Sequence, residues 1–174
     1  MIGIKEIDDI AVFDFELTSE TIEKLMDGIQ QLVVRNPEAK MFVYFSSTGG
    51  SLAHAQILLD YLNKVQNNVF LAAFHQISSA AFKIFVDFRG EKMVMPYCFA
   101  TVHEGTKELI SRELKDRESF DYFMYTDIME EMSADMGLFY KKHLTDDELL
   151  KICNGKDVYL NTKRLRDILD EDKN

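Results

Sequence analysis

Two adjacent serines stand at the junction between a strand-like run and a helix-like run, and chemistry is expected there. Residues 69–74 are apolar and of strand length, and after Ser78 and Ser79 small and apolar residues recur at helical spacing. A strand that turns sharply into a helix lifts one hydroxyl out of the sheet, beside unbonded backbone N–H groups. We therefore predict Ser79 as a nucleophile. The alternatives are that Ser78 is the reactive serine or that Ser79 only packs the start of a helix.

Two further features would serve such a nucleophile. Gly49 and Gly50 follow a second strand-like run, and paired glycines permit torsions that leave a backbone N–H open to a reacting oxygen. His103 follows another such run, and an imidazole can take the proton of a serine hydroxyl. An ordinary tight turn and a core histidine are the alternatives. Carboxyl ends of parallel strands share one edge of a sheet, so we expect these features to converge.

Strand-like and helix-like runs alternate along the chain up to His103, which predicts an α/β fold. The first predicted helix starts at a Thr18-Ser19 cap and stops before Pro37, and the second follows Ser51. His54 in this second helix and His143 further on are interpreted as surface residues. The predicted strands are residues 10–15, 41–45, 69–74, 92–95 and 99–102.

The segment 106–140 differs, because it is rich in Glu, Lys, Met and aromatic residues and contains only Gly137 as a helix breaker. It predicts one long helix or a helical pair. Its apolar residues recur every three or four positions over a length that outruns a small domain, so we expect it to project and to face a partner subunit. The alternative is that it folds back on its own sheet. Beyond it, the pattern predicts a capping box at Thr145 and Glu148, a helix stop at Gly155, an extended piece at 157–160 and a cap at Asn161.

Composition narrows the class of protein. The chain has 174 residues, 47% of them hydrophobic, and a formal net charge of −10, which indicates a single globular domain and disfavours binding to a phosphate backbone. Its two cysteines form no CxxC pair, and no apolar run approaches the roughly 18 residues of a membrane span. The spacing of His, Cys, Asp and Glu predicts no metal site, no phosphate loop is present, and no cofactor is expected. We expect a cytoplasmic protein.

The chemistry-bearing runs, taken in order, resemble those of the Clp protease proteolytic subunits, in the ClpP/crotonase superfamily. The resemblance extends from about residue 10 to 168, with 106–140 in the place of the family's handle. It depends on the strand and glycine turn at 44–51, Ser78-Ser79-Ala80-Ala81, the strand-end histidine at 100–104 and Asp157-Val158-Tyr159-Leu160-Asn161.

This resemblance implies a serine endopeptidase, a hydrolase that cleaves peptides inside a homo-oligomeric ring. Position by position, it makes Ser79 the nucleophile, His103 its general base and Asp157 the residue that orients the histidine. Backbone N–H groups of Gly50 and Ala80 would form the oxyanion hole. The implied fold is a spiral of strand-strand-helix units with a projecting handle helix, in one domain with its head at about 1–105 and 144–174 and its handle at about 106–143.

Three residues depart from the family pattern: Thr48 replaces a proline, and His75 and Ala81 replace glycines. In the family, a segment before the first strand helps to dock an ATP-dependent unfoldase. Here the first recognisable strand begins near Ile10 and no counterpart of that segment is evident, so an unfoldase partner is a weaker expectation. Two other functions stay open. One is a ring-forming pseudo-enzyme, and the other is a crotonase-like enzyme acting on an acyl-CoA thioester, which the serine-histidine pair and the lack of an evident basic patch disfavour.

Overall fold

The computed structural model describes residues 9–103 and 120–171, with backbone alone for 120–129. The chain is α/β, as its alternating pattern predicts. The strands are β1 (Asp9–Asp14), β2 (Met41–Ser47), β3 (Val69–Ile77), β4 (Glu91–Val94), β5 (Ala100–Val102) and β6 (Val158–Leu160). The α-helices are α1 (Ser19–Arg35), α2 (Leu52–Lys64), α3 (Ala80–Asp87), α4 (Phe120–His143), α5 (Asp146–Cys153) and α6 (Thr162–Glu171), and a 3-10 turn spans Gln66–Asn68.

The described residues form two compact units. The first takes in the chain up to Val102 together with the residues from Tyr159 onward, and the second runs from His103 to Val158. The predicted single domain, with its head and handle limits, stays a prediction. None of the helices in the described ranges is long and apolar enough to cross a membrane.

A four-stranded parallel sheet in the order β1-β2-β3-β4 forms the centre of the first unit. Its strands are rich in aromatic and β-branched residues, which suit a sheet that helices cover. One face carries Val43, Phe45, Leu71 and Ala73, all fully buried. Helix α1 contacts β1 and helix α3 contacts β3, while α2 packs against both of these helices. This face is therefore the core.

The opposite face of the sheet is apolar but much more open. Ile10 and Val12 on β1 are 60% and 62% exposed. In the middle of this face the rings of Phe42 and Phe70 stack with their centroids 5.0 Å apart, and Tyr44 meets Phe74 edge to face. Exposed apolar surface of this kind often marks an interface.

The register between β2 and β3 shifts near the end of the strands. Phe45 pairs with Ala73, but Ser47 pairs with Ile77, so β3 carries two extra residues in a bulge. Beyond the bulge, β3 gains a neighbour on its other side, because Ile77 N–H donates to Phe99 O (3.0 Å). The chain entering β5 thus lies beside the end of β3, which the sequence predicts to stop at residue 74.

The predicted helix ends are confirmed. The hydroxyl of Thr18 accepts from Thr21 N–H at the start of α1, and Thr145 and Glu148 form a reciprocal capping box at the start of α5. Asn161 Oδ1 accepts from Arg164 N–H (3.0 Å) at the start of α6. Gly155, with φ of 69°, follows the end of α5 as predicted.

In the second unit, α4 covers the later part of the predicted helical segment 106–140, and the earlier part, residues 106–119, lies outside the described chain. The described side chains of α4 bury Met136, Phe139 and Tyr140. His143 is only 4% exposed and its ring lies 4.8 Å from that of Phe139, so its prediction as a surface residue is wrong. That α4 projects toward a partner subunit stays a prediction.

Candidate active site

Ser79 occupies a sharp turn between β3 and α3. Its φ of 53° and ψ of −124° lie in a region that side-chain-bearing residues rarely adopt, and α3 begins at the next residue, Ala80. Ser79 N–H donates to Thr101 O (2.8 Å), which holds the strained turn against the strand beside it. The hydroxyl of Ser79 makes no hydrogen bond to any described residue. The predicted strand-to-helix turn is therefore present, with a half-buried and unbonded hydroxyl at its apex.

Ser78, the alternative nucleophile, has a structural role. It is 7% exposed, and its Oγ accepts a hydrogen bond from Thr101 N–H (3.1 Å). Its backbone N–H donates to Ser47 O (2.9 Å). Ser78 thus joins the end of β2 to the start of β5, and its hydroxyl is engaged while that of Ser79 is not. The geometry favours Ser79 over Ser78.

The glycine turn lies directly against the Ser79 turn. Gly49 has φ of 100°, and a Cβ atom there would stand 2.8 Å from Ser78 O, 2.8 Å from Ser79 Cβ and 3.4 Å from Ala80 N. These distances leave no room for a side chain. Ser47 Oγ accepts from Gly49 N–H (3.1 Å) and so fixes the turn from within. The structure thus brings Gly49 and Ser79 together, and the expected convergence of His103 with them stays a prediction.

The backbone N–H of Gly50 takes no part in the hydrogen bonds that join the glycine turn to Leu17. Leu17 N–H donates to Gly49 O (2.8 Å) and Ser51 N–H donates to Leu17 O (3.3 Å), in a parallel bridge that pairs Leu17 with Gly50. Within the described chain, neither Gly50 N–H nor Ala80 N–H donates a hydrogen bond. The nitrogen of Ala80 lies next to Gly49, and both N–H groups are available as the donors that an oxyanion hole requires; their role there stays a prediction.

His75, one of the departures from the family pattern, sits in the β3 bulge with φ of 54°. Glycine adopts this conformation readily, whereas a histidine there is strained. The side chain is exposed, and its ring packs edge to face against Phe99 with centroids 6.1 Å apart. Its ring nitrogens make no hydrogen bond to Ser79 or to any other described residue. His75 therefore does not act as a competing base in this arrangement.

His103 and Asp157 belong to the second unit and are described by themselves. His103 is half-buried, and its carbonyl oxygen accepts a hydrogen bond from the hydroxyl of Tyr140 (3.2 Å). Burial raises the pKa of this Tyr140 hydroxyl. Asp157 is exposed and forms no hydrogen bond or ion pair with any described residue, His103 included. The roles of His103 as base and of Asp157 as its orienting residue stay predictions.

Cys98 offers no rival nucleophile. It is 1% exposed, and burial raises the pKa of its thiol to about 12, so the reactive thiolate is scarce near neutral pH. In the described ranges, no group of three or more His, Cys, Asp or Glu residues is placed to hold a metal ion.

Sequence reasoning missed the residues that hold the site together. Thr101 forms hydrogen bonds with both serines, and Leu17 forms hydrogen bonds with the glycine turn on both sides of Gly50. No local sequence pattern indicates which segment will lie beside either turn. His54 is half-buried rather than on the surface, and its Nδ1 is inaccessible and has no hydrogen-bond partner among the described residues. Only pairing between distant strands and helices could have identified these positions.

No family model matches the chain, and no curated protein matches it. The class of protein is therefore inferred from the site itself.

Proposed function

We propose that the chain is a serine-type peptidase resembling the Clp protease proteolytic subunits, with the corresponding spiral fold and handle helix. One observation carries this proposal. Ser79 stands at a strained strand-to-helix turn with an unbonded hydroxyl, packed against the glycine turn at Gly49, and the N–H groups of Gly50 and Ala80 bond to no described residue. A nucleophile close to oxyanion donors is the arrangement that an acyl-transfer site requires.

In the proposed reaction, Ser79 Oγ attacks a peptide carbonyl carbon while His103 takes the hydroxyl proton. The carbonyl oxygen becomes an oxyanion between the N–H groups of Gly50 and Ala80, and the loss of one such donor typically costs about 3–4 kcal/mol of transition-state stabilisation. His103 then gives its proton to the leaving amine, and water hydrolyses the acyl-enzyme by the same route in reverse. Asp157 would fix the tautomer of His103 and stabilise the imidazolium.

We further propose that the peptidase assembles into a homo-oligomeric ring in the cytoplasm. The open apolar face of the sheet supports assembly, because Ile10, Val12 and Met93 would each leave water on contact with another subunit. An ATP-dependent unfoldase is proposed as a partner on the family resemblance alone.

A ring-forming pseudo-enzyme is the second candidate. It is favoured by the exposure of Asp157, which binds no described residue, since a triad needs its carboxylate beside the imidazole. Such a protein would keep the Ser79 turn but would lack a working base. The two candidates therefore differ in whether Ser79 reacts.

An alkyl fluorophosphonate, which labels activated serines, separates them. We expect labelling of the native particle, its loss in Ser79→Ala and its retention in Ser78→Ala. Because Ser78→Ala leaves Thr101 N–H without its acceptor, its fold is checked first by circular dichroism. No labelling of the intact wild-type oligomer would refute the peptidase in favour of the pseudo-enzyme. The mass of the native particle, measured on the same sample, tests assembly, and a stable monomer would contradict it.

A further inference from the structure

Glu16 stands beside the candidate oxyanion hole. Its Cγ would lie 3.2 Å from a Cβ atom on Gly50, so its side chain runs along the glycine turn. Its backbone is held firmly, because Glu16 O accepts from both Thr21 Oγ1 (2.6 Å) and Thr18 N–H (3.1 Å). The next residue, Leu17, forms hydrogen bonds with Gly49 and Ser51. The position of Glu16 relative to Gly50 is thus fixed by hydrogen bonds to its own carbonyl oxygen and by those that join Leu17 to Gly49 and Ser51.

The carboxylate of Glu16 has no compensating charge among the described residues. Glu16 is exposed, and within the described ranges its side chain forms no ion pair or hydrogen bond. A negative charge so close to Gly50 N–H opposes the oxyanion that this N–H would stabilise. A cation brought by the substrate would remove that opposition and gain an ion pair of its own.

We infer that Glu16 is a specificity-determining residue that favours a lysine or arginine side chain on the substrate. The inference rests on the proposed function. Gly50 N–H would bind the oxygen of the attacked carbonyl, so the substrate side chain nearest to Glu16 is that of the residue carrying this carbonyl. A single carboxylate at a solvated rim changes such a preference by about three- to tenfold, and salt weakens the effect.

Two diphenyl aminophosphonate probes test this preference, one with a lysine side chain beside the phosphorus and one with norleucine. Norleucine has the same aliphatic chain but no ammonium group. In each case the serine oxygen displaces one phenoxide, so the labelling rate reports the side-chain preference at Ser79 directly. We expect the lysine probe to label wild-type protein three- to tenfold faster, and the ratio to shrink in about 0.5 M salt.

Glu16→Gln is expected to bring the ratio of the two rates close to one. Glu38→Gln is the matched control, because it removes the same charge just before β2 begins, whereas Gly50 follows the other end of β2. This variant should keep the wild-type ratio. An alkyl fluorophosphonate, which has no such side chain, verifies that Ser79 stays reactive in both variants. If it labels wild-type protein and Glu16→Gln has the wild-type ratio, or if norleucine is preferred in wild-type protein, the role of Glu16 is refuted alone. If it does not label wild-type protein, the proposed function fails, and the role of Glu16 with it.

Discussion

Replacing Gly49 by alanine should damage stability and the Ser79 turn together. A φ of 100° places an alanine in a region that costs on the order of 1–3 kcal/mol. The new Cβ would also stand 2.8 Å from both Ser78 O and Ser79 Cβ, closer than real contacts allow. Since these are backbone and near-backbone atoms, the strain cannot be relieved by a side-chain rotation. The smaller entropy of the unfolded alanine chain offsets about 0.4–1 kcal/mol. We expect a net loss of about 2–3 kcal/mol.

Urea unfolding measures this loss, with Gly28→Ala as the control. Gly28 lies inside α1 with nothing within 4 Å of the position of a Cβ atom, so alanine there should raise the free energy of unfolding by up to about 1 kcal/mol. Fluorophosphonate labelling of folded Gly49→Ala should also slow, because the new methyl group displaces the turn that carries the hydroxyl of Ser79. The reasoning is refuted if Gly49→Ala unfolds within about 0.5 kcal/mol of wild type and is labelled at the wild-type rate.

Two further predictions concern single side chains. His75→Gly should raise the free energy of unfolding by about 0.5–1 kcal/mol. It relieves roughly 1–2 kcal/mol of backbone strain at φ of 54°, and the extra entropy of glycine in the unfolded chain offsets part of this gain. A destabilised variant would contradict this account. Cys98 should resist iodoacetamide at pH 8 in the folded protein while the exposed Cys153 reacts, as mass spectrometry of the two peptides can measure. Folding raises the pKa of the Cys98 thiol from 9.0 to about 12. The contribution of this thiol to the free energy of unfolding is therefore complete below about pH 9 and is lost as the pH rises toward 12. A free energy of unfolding that did not fall over this range would contradict the shift.

Features set by neighbouring residues in the chain could be predicted from the sequence. The alternation of strands and helices follows from local periodicity, and the caps at Thr18, Thr145 and Asn161 follow from hydrogen bonds that span three residues. The Ser79 turn belongs to this group, because an apolar run, two serines and a helical run are contiguous. These predictions needed no knowledge of the rest of the fold.

Features set by pairing between distant segments could not be predicted. The bulge in β3 arises from its different registers with β2 and with the segment before β5, so the strand runs on to Ile77. The burial of His143 depends on its packing in the second unit, and its position in the sequence, after two lysines, is typical of an exposed helix end. The choice between Ser78 and Ser79 likewise depends on Thr101, which is 22 residues beyond Ser79 in the chain.

Three hydrogen bonds hold the Ser79 turn, and none of them uses the hydroxyl of Ser79. Ser78 N–H binds Ser47 O, Ser78 Oγ binds Thr101 N–H, and Ser79 N–H binds Thr101 O. Strained backbone persists only where its surroundings over-determine it, and here two strands do so through the backbone and through Ser78. Removing the Ser79 hydroxyl should therefore leave the turn intact, whereas removing the Ser78 hydroxyl should loosen it. A structural role and a reactive role are thus divided between two adjacent serines, which makes the Ser79→Ala and Ser78→Ala pair a clean test of reactivity against stability.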